Sequence, residues 1–208
     1  KMKKDNAKIF LTFTSNMVTS GLRGFFAQLI RLGIPDVIVT TVGGLEEDIM
    51  KAKGEEFGIG TFASDDVELH EQGVNRVGNL QVKNESYMRY EDALMPLLDK
   101  LYEKDKRWTV SGMMKEIGLQ LDDENSILYQ AAKHDVPVFC PAITDGSTGF
   151  HLYLYQQKHK DFTVDVVQDF GNILYATSHD EHKGVIAFGG SISKHHAILA
   201  VAFQDGHV

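Results

Sequence analysis

The sequence holds a single cysteine, Cys140, in 208 residues. An intrachain disulfide is therefore excluded, as is a Cys-based zinc site, and a reducing, cytoplasmic setting fits. Prolines number only four, and no linker, repeat or low-complexity stretch interrupts the chain. One continuous domain over residues 1–208 is expected. No apolar run approaches the ~18 residues that a membrane span needs. After the basic start, Lys1-Met2-Lys3-Lys4, only Ile9 to Phe13 follows as an apolar patch, too short for a signal-peptide core. Positive charge is in the minority: 21 Lys and Arg against 29 Asp and Glu give a net charge of -8. That balance argues against a nucleic-acid or membrane-surface binder and suits a cationic substrate or a basic protein partner. The first residue is not Met and the last three are Gly206-His207-Val208, so the sequence is expected to be incomplete at both ends.

What is present is a regular alternation. Short, mostly apolar runs at Ile9–Phe13, Val37–Thr41, Val136–Phe139 and Gly184–Phe188 read as strands buried on both faces. Between them, apolar residues recur at helical spacing: Leu22, Phe25, Phe26, Leu29 and Ile30; then Tyr90, Leu94, Leu97, Leu98 and Leu101. Further helices are expected from Met113, with Ser111 as its cap, over Ile127 to Ala132, through Val164, Val167 and Phe170, and over Ile192 to Phe203. The expected fold is α/β, a Rossmann-like, mostly parallel sheet with helices on both faces. Residues Gly54 to Lys83 are the least regular and read as a long surface excursion.

In such a sheet ligands bind outside the carboxyl ends of the strands. The turns expected there are Thr14-Ser15-Asn16, Val42-Gly43-Gly44-Leu45-Glu46-Glu47-Asp48, Thr144-Asp145-Gly146-Ser147 and Gly189-Gly190-Ser191-Ile192-Ser193-Lys194-His195-His196. Gly43-Gly44 lets backbone amides approach a phosphate, or simply makes a tight strand-to-helix turn. Glu46-Glu47-Asp48 suits a polyamine, or complements a helix N-terminus. Asp145 suits a ribose or an ammonium, or an Asx-turn. His195 suits a general base near neutral pH, or a structural hydrogen bond, and its neighbour His196 faces another side. His179-Asp180-Glu181-His182 has a metal-like spacing but lies at the wrong end of the sheet, so no metal site is expected. No Walker loop, nucleophile elbow or glycine fingerprint after the first strand is present.

Taken together, Thr14 to Gly21, Val39 to Asp48, Asn75-Arg76-Val77-Gly78-Asn79-Leu80, Tyr90-Glu91-Asp92, Pro141 to Ser147, and Gly189-Gly190 through His196 resemble the deoxyhypusine synthase family, in family order across nearly the whole chain. Their flavour is closer to archaeal than to animal members. The resemblance implies NAD as cofactor, spermidine as substrate and a homotetramer with active sites at dimer interfaces. The implied activity transfers the aminobutyl group of spermidine to one lysine of the precursor of a hypusine-containing translation factor. By position, Ser15, Asn16, Met17, Val18, Thr19, Thr41, Val42, Gly43 and Asp145 match the NAD contacts. Glu46, Glu47, Gly190 and His195 match residues around spermidine, with His195 in the catalytic role.

The sequence also departs from that pattern. Phe150 stands where animal members place a polyamine-binding Asp, Ser191 replaces a third glycine, and Leu199 replaces an Asn. The family's catalytic lysine lies in a later segment that no residue here matches; Lys194 is not that lysine by position. The resemblance thus implies an incomplete chain, or a hetero-oligomer in which a second chain supplies the missing segment. Two alternatives remain at this level: a non-catalytic regulatory partner of a synthase, and a homospermidine-synthase-like transferase.

Overall fold

The computed structural model describes residue 2, residues 4–176 and residues 182–203. Most of the described His-x-x-His spacing, residues 179–181, lies outside them. The chain opens with β1 (Lys8–Phe13), α1 (Ser15–Met17), a π-helical segment (Val18–Leu22) and α2 (Arg23–Arg31). It continues through β2 (Val37–Thr40), α3 (Val42–Ala52), β3 (Gly58–Ile59), α4 (Asp66–Glu71), β4 (Val74–Val77) and β5 (Leu80–Lys83). The long helix α5 (Asn84–Lys104) leads to β6 (Arg107–Trp108), α6 (Val110–Gly118), α7 (Ile127–Lys133) and β7 (Val138–Phe139). Then come α8 (Ser147–Lys158), β8 (Thr163–Val164), α9 (Val166–Tyr175), β9 (Lys183–Phe188) and α10 (Ser191–Ala202).

The four strands read from the sequence form one all-parallel sheet, in the order β7-β2-β1-β9. Its register pairs Phe10 with Val37 and Leu11 with Ile38, so alternate residues face opposite sides. On one face Leu11, Phe13 and Ile38 join the large core with residues of α2, α3, α5, α6, α7 and α8. Phe13 and Phe26 stack there at 4.3 Å, with Phe188 edge-on to Phe26 at 5.4 Å. On the other face Phe10, Val37, Val39 and Phe139 pack against Ile173 of α9 and Ala197 and Ala200 of α10. Helices therefore cover both faces, as the alternation of strand and helix requires. At the margin of the large core Trp108 is half-buried, its Nε1–H donating to the carbonyls of Leu101 (3.2 Å) and Asp105 (3.0 Å).

The reading of residues 54–83 as an irregular excursion is corrected. They hold α4, capped by Asp65, and three strands that pair antiparallel in the order β3-β5-β4. Alternating exposure along β4, and only two residues in β3, hid them. Val164 belongs to β8, which pairs with β6, rather than to the helix that follows. The cap of α6 is Thr109, whose hydroxyl accepts from Gly112 N; Ser111 sits inside the helix and holds Asp169. No helix of the described residues is long and apolar enough to cross a membrane.

Candidate functional site

At the carboxyl edge of the parallel sheet, the turns after β1, β2, β7 and β9 meet around a cleft of about 300 Å³. It is lined by Thr14, Ser15, Thr41, Val42, Gly43, Glu46, Ala142, Asp145, Ser191 and Ile192. Six of the expected site residues, Ser15, Thr41, Val42, Gly43, Glu46 and Asp145, are thus gathered from three separate turns. The turns lock together: Ser15 N donates to Thr41 Oγ1 at 2.9 Å. A Cβ on Gly43 would stand 2.9 Å from Ser15 Cβ, so only glycine permits this approach. Gly189, at φ +87, ends β9 in the left-handed region, and there a Cβ would meet Thr14 Oγ1 at 2.7 Å.

The other expected residues divide. Asn16 is exposed beside the cleft, its Oδ1 accepting from Thr14 Oγ1. Met17 is half-buried against the core and Val18 is fully buried in it, so Val18 offers a ligand no side chain. Thr19 is buried and turns to Glu47. Gly190 caps α10, with open space where a side chain would stand. His195 is exposed, one helical turn beyond Ser191 and outside the lining of the cleft. His196 faces α9, 5.5 Å from the Phe170 ring, and burial lowers its pKa; the two histidines indeed diverge.

The three acids of α3 have three fates. Glu46 Oε1 accepts from Thr148 N (2.6 Å) and Thr148 Oγ1 (3.0 Å), so it caps the start of α8 while lining the cleft. Burial, the largest influence, raises its pKa against the pull of Thr148 and His151. Asp48 is completely buried and accepts from Arg23 Nε (2.5 Å), Ser126 Oγ (2.8 Å), Ile127 N (3.1 Å) and Leu128 N (2.8 Å), which caps α7. Acids complementing a helix N-terminus is thus right for Glu46 and Asp48, but the helices are α8 and α7 rather than their own. Glu47 is half-buried, with both oxygens 2.7 Å from Thr19 Oγ1, and burial pushes its pKa up to about 7.

Sequence reasoning missed the group that supports Glu46. Thr148 Oγ1 also meets the Tyr90 hydroxyl at 2.7 Å, and His151 Nε2 lies 3.3 Å from Glu91. Tyr90-Glu91 stood among the family-like stretches, but no spacing linked it to Thr148, 58 residues on. Cys140 is buried beneath the cleft turn and its thiol is pushed up to about 12 by burial, which leaves it inert as a nucleophile.

The helix starts at this edge fit an anion. Neither Thr41 at α3 nor Gly190 at α10 gives its helix a side-chain cap, so first-turn N–H groups remain for a ligand. Val42 and Gly43, and Ser191 and Ile192, carry those turns into the cleft wall. Backbone amides suit an anion there, and the Asp145 and Glu46 carboxylates of the lining suit hydroxyl or cationic groups.

Comparison with known proteins places the chain in a family. A family model described as deoxyhypusine synthase matches residues 1–208. A Senecio vernalis protein named deoxyhypusine synthase is 41% identical over 205 residues, covering 96% of this chain and 55% of its own length. An archaeal protein from Thermoplasma volcanium named "Probable deoxyhypusine synthase" is 41% identical over 198 residues, covering 95% of this chain and 64% of its own length. A crystal structure described as a deoxyhypusine synthase of Entamoeba histolytica superposes with a TM-score of 0.70 at 32% identity, covering 89% of this chain and 58% of that one. The chain spans less than two thirds of the length of each.

Proposed function

The chain belongs to the deoxyhypusine synthase family, and from this we propose that it takes part in NAD-dependent transfer of the aminobutyl group of spermidine to one lysine of a translation factor precursor. The observation that carries the reading is the cleft itself: two uncapped helix starts, Asp145 and Glu46 around one cavity at the carboxyl edge of a parallel sheet. At about 300 Å³ it stands at the small end of ligand sites. It is therefore large enough for part of a dinucleotide.

A bound NAD would supply a reversible hydride acceptor for the carbon beside the secondary amine of spermidine. The residues of this chain would supply part of the surroundings of that exchange. Backbone N–H groups at Val42, Gly43 and Ser191 hold the diphosphate, and Asp145 holds a ribose. Glu46 and Glu47 anchor ammonium groups and orient the reacting carbon. His195 takes the amine proton as the hydride departs. In the whole reaction one C–N bond of spermidine breaks, one C–N bond to the acceptor lysine forms, and no net oxidation results.

The lysine that forms the covalent imine comes, in this reading, from a further segment of the same protein or from a second chain. Among the described residues β9 is an edge of the parallel sheet and is half-buried to exposed along its length, whereas β2 is buried throughout. Such an edge takes a further strand, and the assembly is a homotetramer or a hetero-oligomer. One observation favours the second reading, a regulatory partner subunit: Phe150 and Leu199, at positions of polyamine contacts in animal members, are 59% and 37% exposed apolar side chains that offer an ammonium no charge.

Thermal unfolding tests the cofactor. Millimolar NAD is expected to raise the melting temperature of the assembled protein, and Asp145→Ala to shrink that rise. No rise in an intact assembly overturns the cofactor reading. Transfer of label from spermidine to the factor then separates the enzyme from the regulatory subunit.

A further inference from the structure

The Thr19 hydroxyl stands among more acceptors than it has protons. The Ser15 carbonyl lies 3.0 Å from its Oγ1, and Glu47 Oε1 and Oε2 each lie at 2.7 Å. A hydroxyl carries one proton and two lone pairs. With Glu47 protonated, every group is satisfied: the carboxyl O–H donates to Thr19 Oγ1, and the Thr19 O–H donates to the Ser15 carbonyl. With Glu47 ionised, the Thr19 proton turns to the carboxylate. The Ser15 carbonyl then loses the hydroxyl and keeps backbone donors such as Val18 N–H.

That carbonyl belongs to an unusual stretch of backbone. Thr19 sits in the π-helical segment Val18–Leu22, kinked at Gly21 (φ 97), and single π turns of this kind concentrate at functional sites. Lys51, one turn beyond Glu47 on α3, holds the same segment: its Nζ donates to the carbonyls of Val18 (2.8 Å) and Thr19 (3.4 Å). The segment is thus pinned by a lysine at carbonyls that do not titrate, and by a hydroxyl whose partner does.

We infer that Thr19 is a positioning residue that couples the charge on Glu47 to the geometry of the Ser15–Leu22 turn. The groups facing Glu47 are Thr19 from the π segment, Lys51 and Glu46 from α3, and Tyr87 from α5. Burial raises the Glu47 pKa to about 7 while Thr19 and Lys51 pull it down, so both charge states are populated near neutral pH. The consequence for binding rests on Glu47 as an amine contact. An ammonium arriving at Glu47 favours its ionised form and draws the Thr19 proton away from a turn whose Ser15 lines the cleft. The amine and dinucleotide subsites are linked through one hydroxyl.

The experiment needs neither ligand. With carbon-13 glutamate carboxyl labels and nitrogen-15 amides, the ligand-free protein is titrated from pH 4 to pH 9. The Glu47 carboxyl and the amides of residues 15–22 are expected to share one midpoint near 7. In Thr19→Val the Glu47 midpoint rises by about half a pH unit and the amides cease to follow it; Thr19→Ser restores both. In Glu47→Gln the amide transition disappears. A Glu47 midpoint in the ordinary carboxylate range, an unchanged midpoint in Thr19→Val, or an amide transition that survives Glu47→Gln overturns the coupling. Failure to bind NAD or spermidine bears on the proposed function and leaves this measurement untouched.

Discussion

Burial of Glu47 has a cost that pH reveals. Its pKa in the folded protein, about 7, exceeds its ordinary 4.5, so between those values the folded state holds more protons than the unfolded state. Stability contributed by this group is full below pH 4.5 and is lost as pH rises through 7. Urea unfolding at a series of pH values is expected to show that decline, and Glu47→Gln to remove it. Asp48 carries a larger load. Asp48→Ala takes the carboxylate from buried Arg23, which keeps Asp123 (2.7 Å) and the backbone carbonyl of residue 48 (3.1 Å), and it removes the acceptor of the Ile127 and Leu128 N–H groups at the start of α7. A loss of about 3 kcal/mol is expected at pH 7, measured by the same unfolding curves. Ser191 lies at φ +61, in the left-handed region that glycine adopts most readily. Ser191→Gly is expected to raise stability by up to about 1 kcal/mol, since it removes that strain. None of these roles was legible locally. The partners of Asp48 lie 25 and 78 to 80 residues away and that of Glu46 lies 102 away, so the acid run revealed its charge but not its targets.

The strands of the parallel sheet were legible because burial on both faces leaves an unbroken apolar run, as in Val37-Ile38-Val39. The small antiparallel sheet was not, because β4 alternates half-buried with exposed residues and β3 is two exposed residues long. The four turns of the site were legible for a different reason: a parallel sheet places every strand-to-helix turn at the same edge, so order in the chain already predicts proximity. The exposure of His195 was not, since it depends on how α10 is rotated against the sheet. Packing between elements supplies a further test at Gly146. A Cβ there would stand 2.8 Å from both Glu46 Oε1 and Val42 Cγ1, where the α8 turn passes over α3. Gly146→Ala is expected to cost about 1–3 kcal/mol and to weaken any NAD-induced rise in melting temperature, because both displaced residues line the cleft.

Across the whole molecule, the two faces of the sheet carry unequal burdens. Among the described residues, six helices contribute to the core on the Leu11 face, while α9 and α10 cover the Phe10 face. The cleft depends on both, because Thr41 to Glu46 belong to the thick side and Ser191 and Ile192 to the thin one. Trp108 stands apart from this division. As the one tryptophan of the chain, it is the dominant intrinsic fluorophore, and its indole is tied to Leu101 and Asp105 at the junction of α5 and β6 rather than to any cleft residue. Its emission is therefore a clock for the opening of that junction and blind to the occupancy of the cleft: a red shift on unfolding with no change on saturation with ligand is the spectroscopic signature this arrangement dictates.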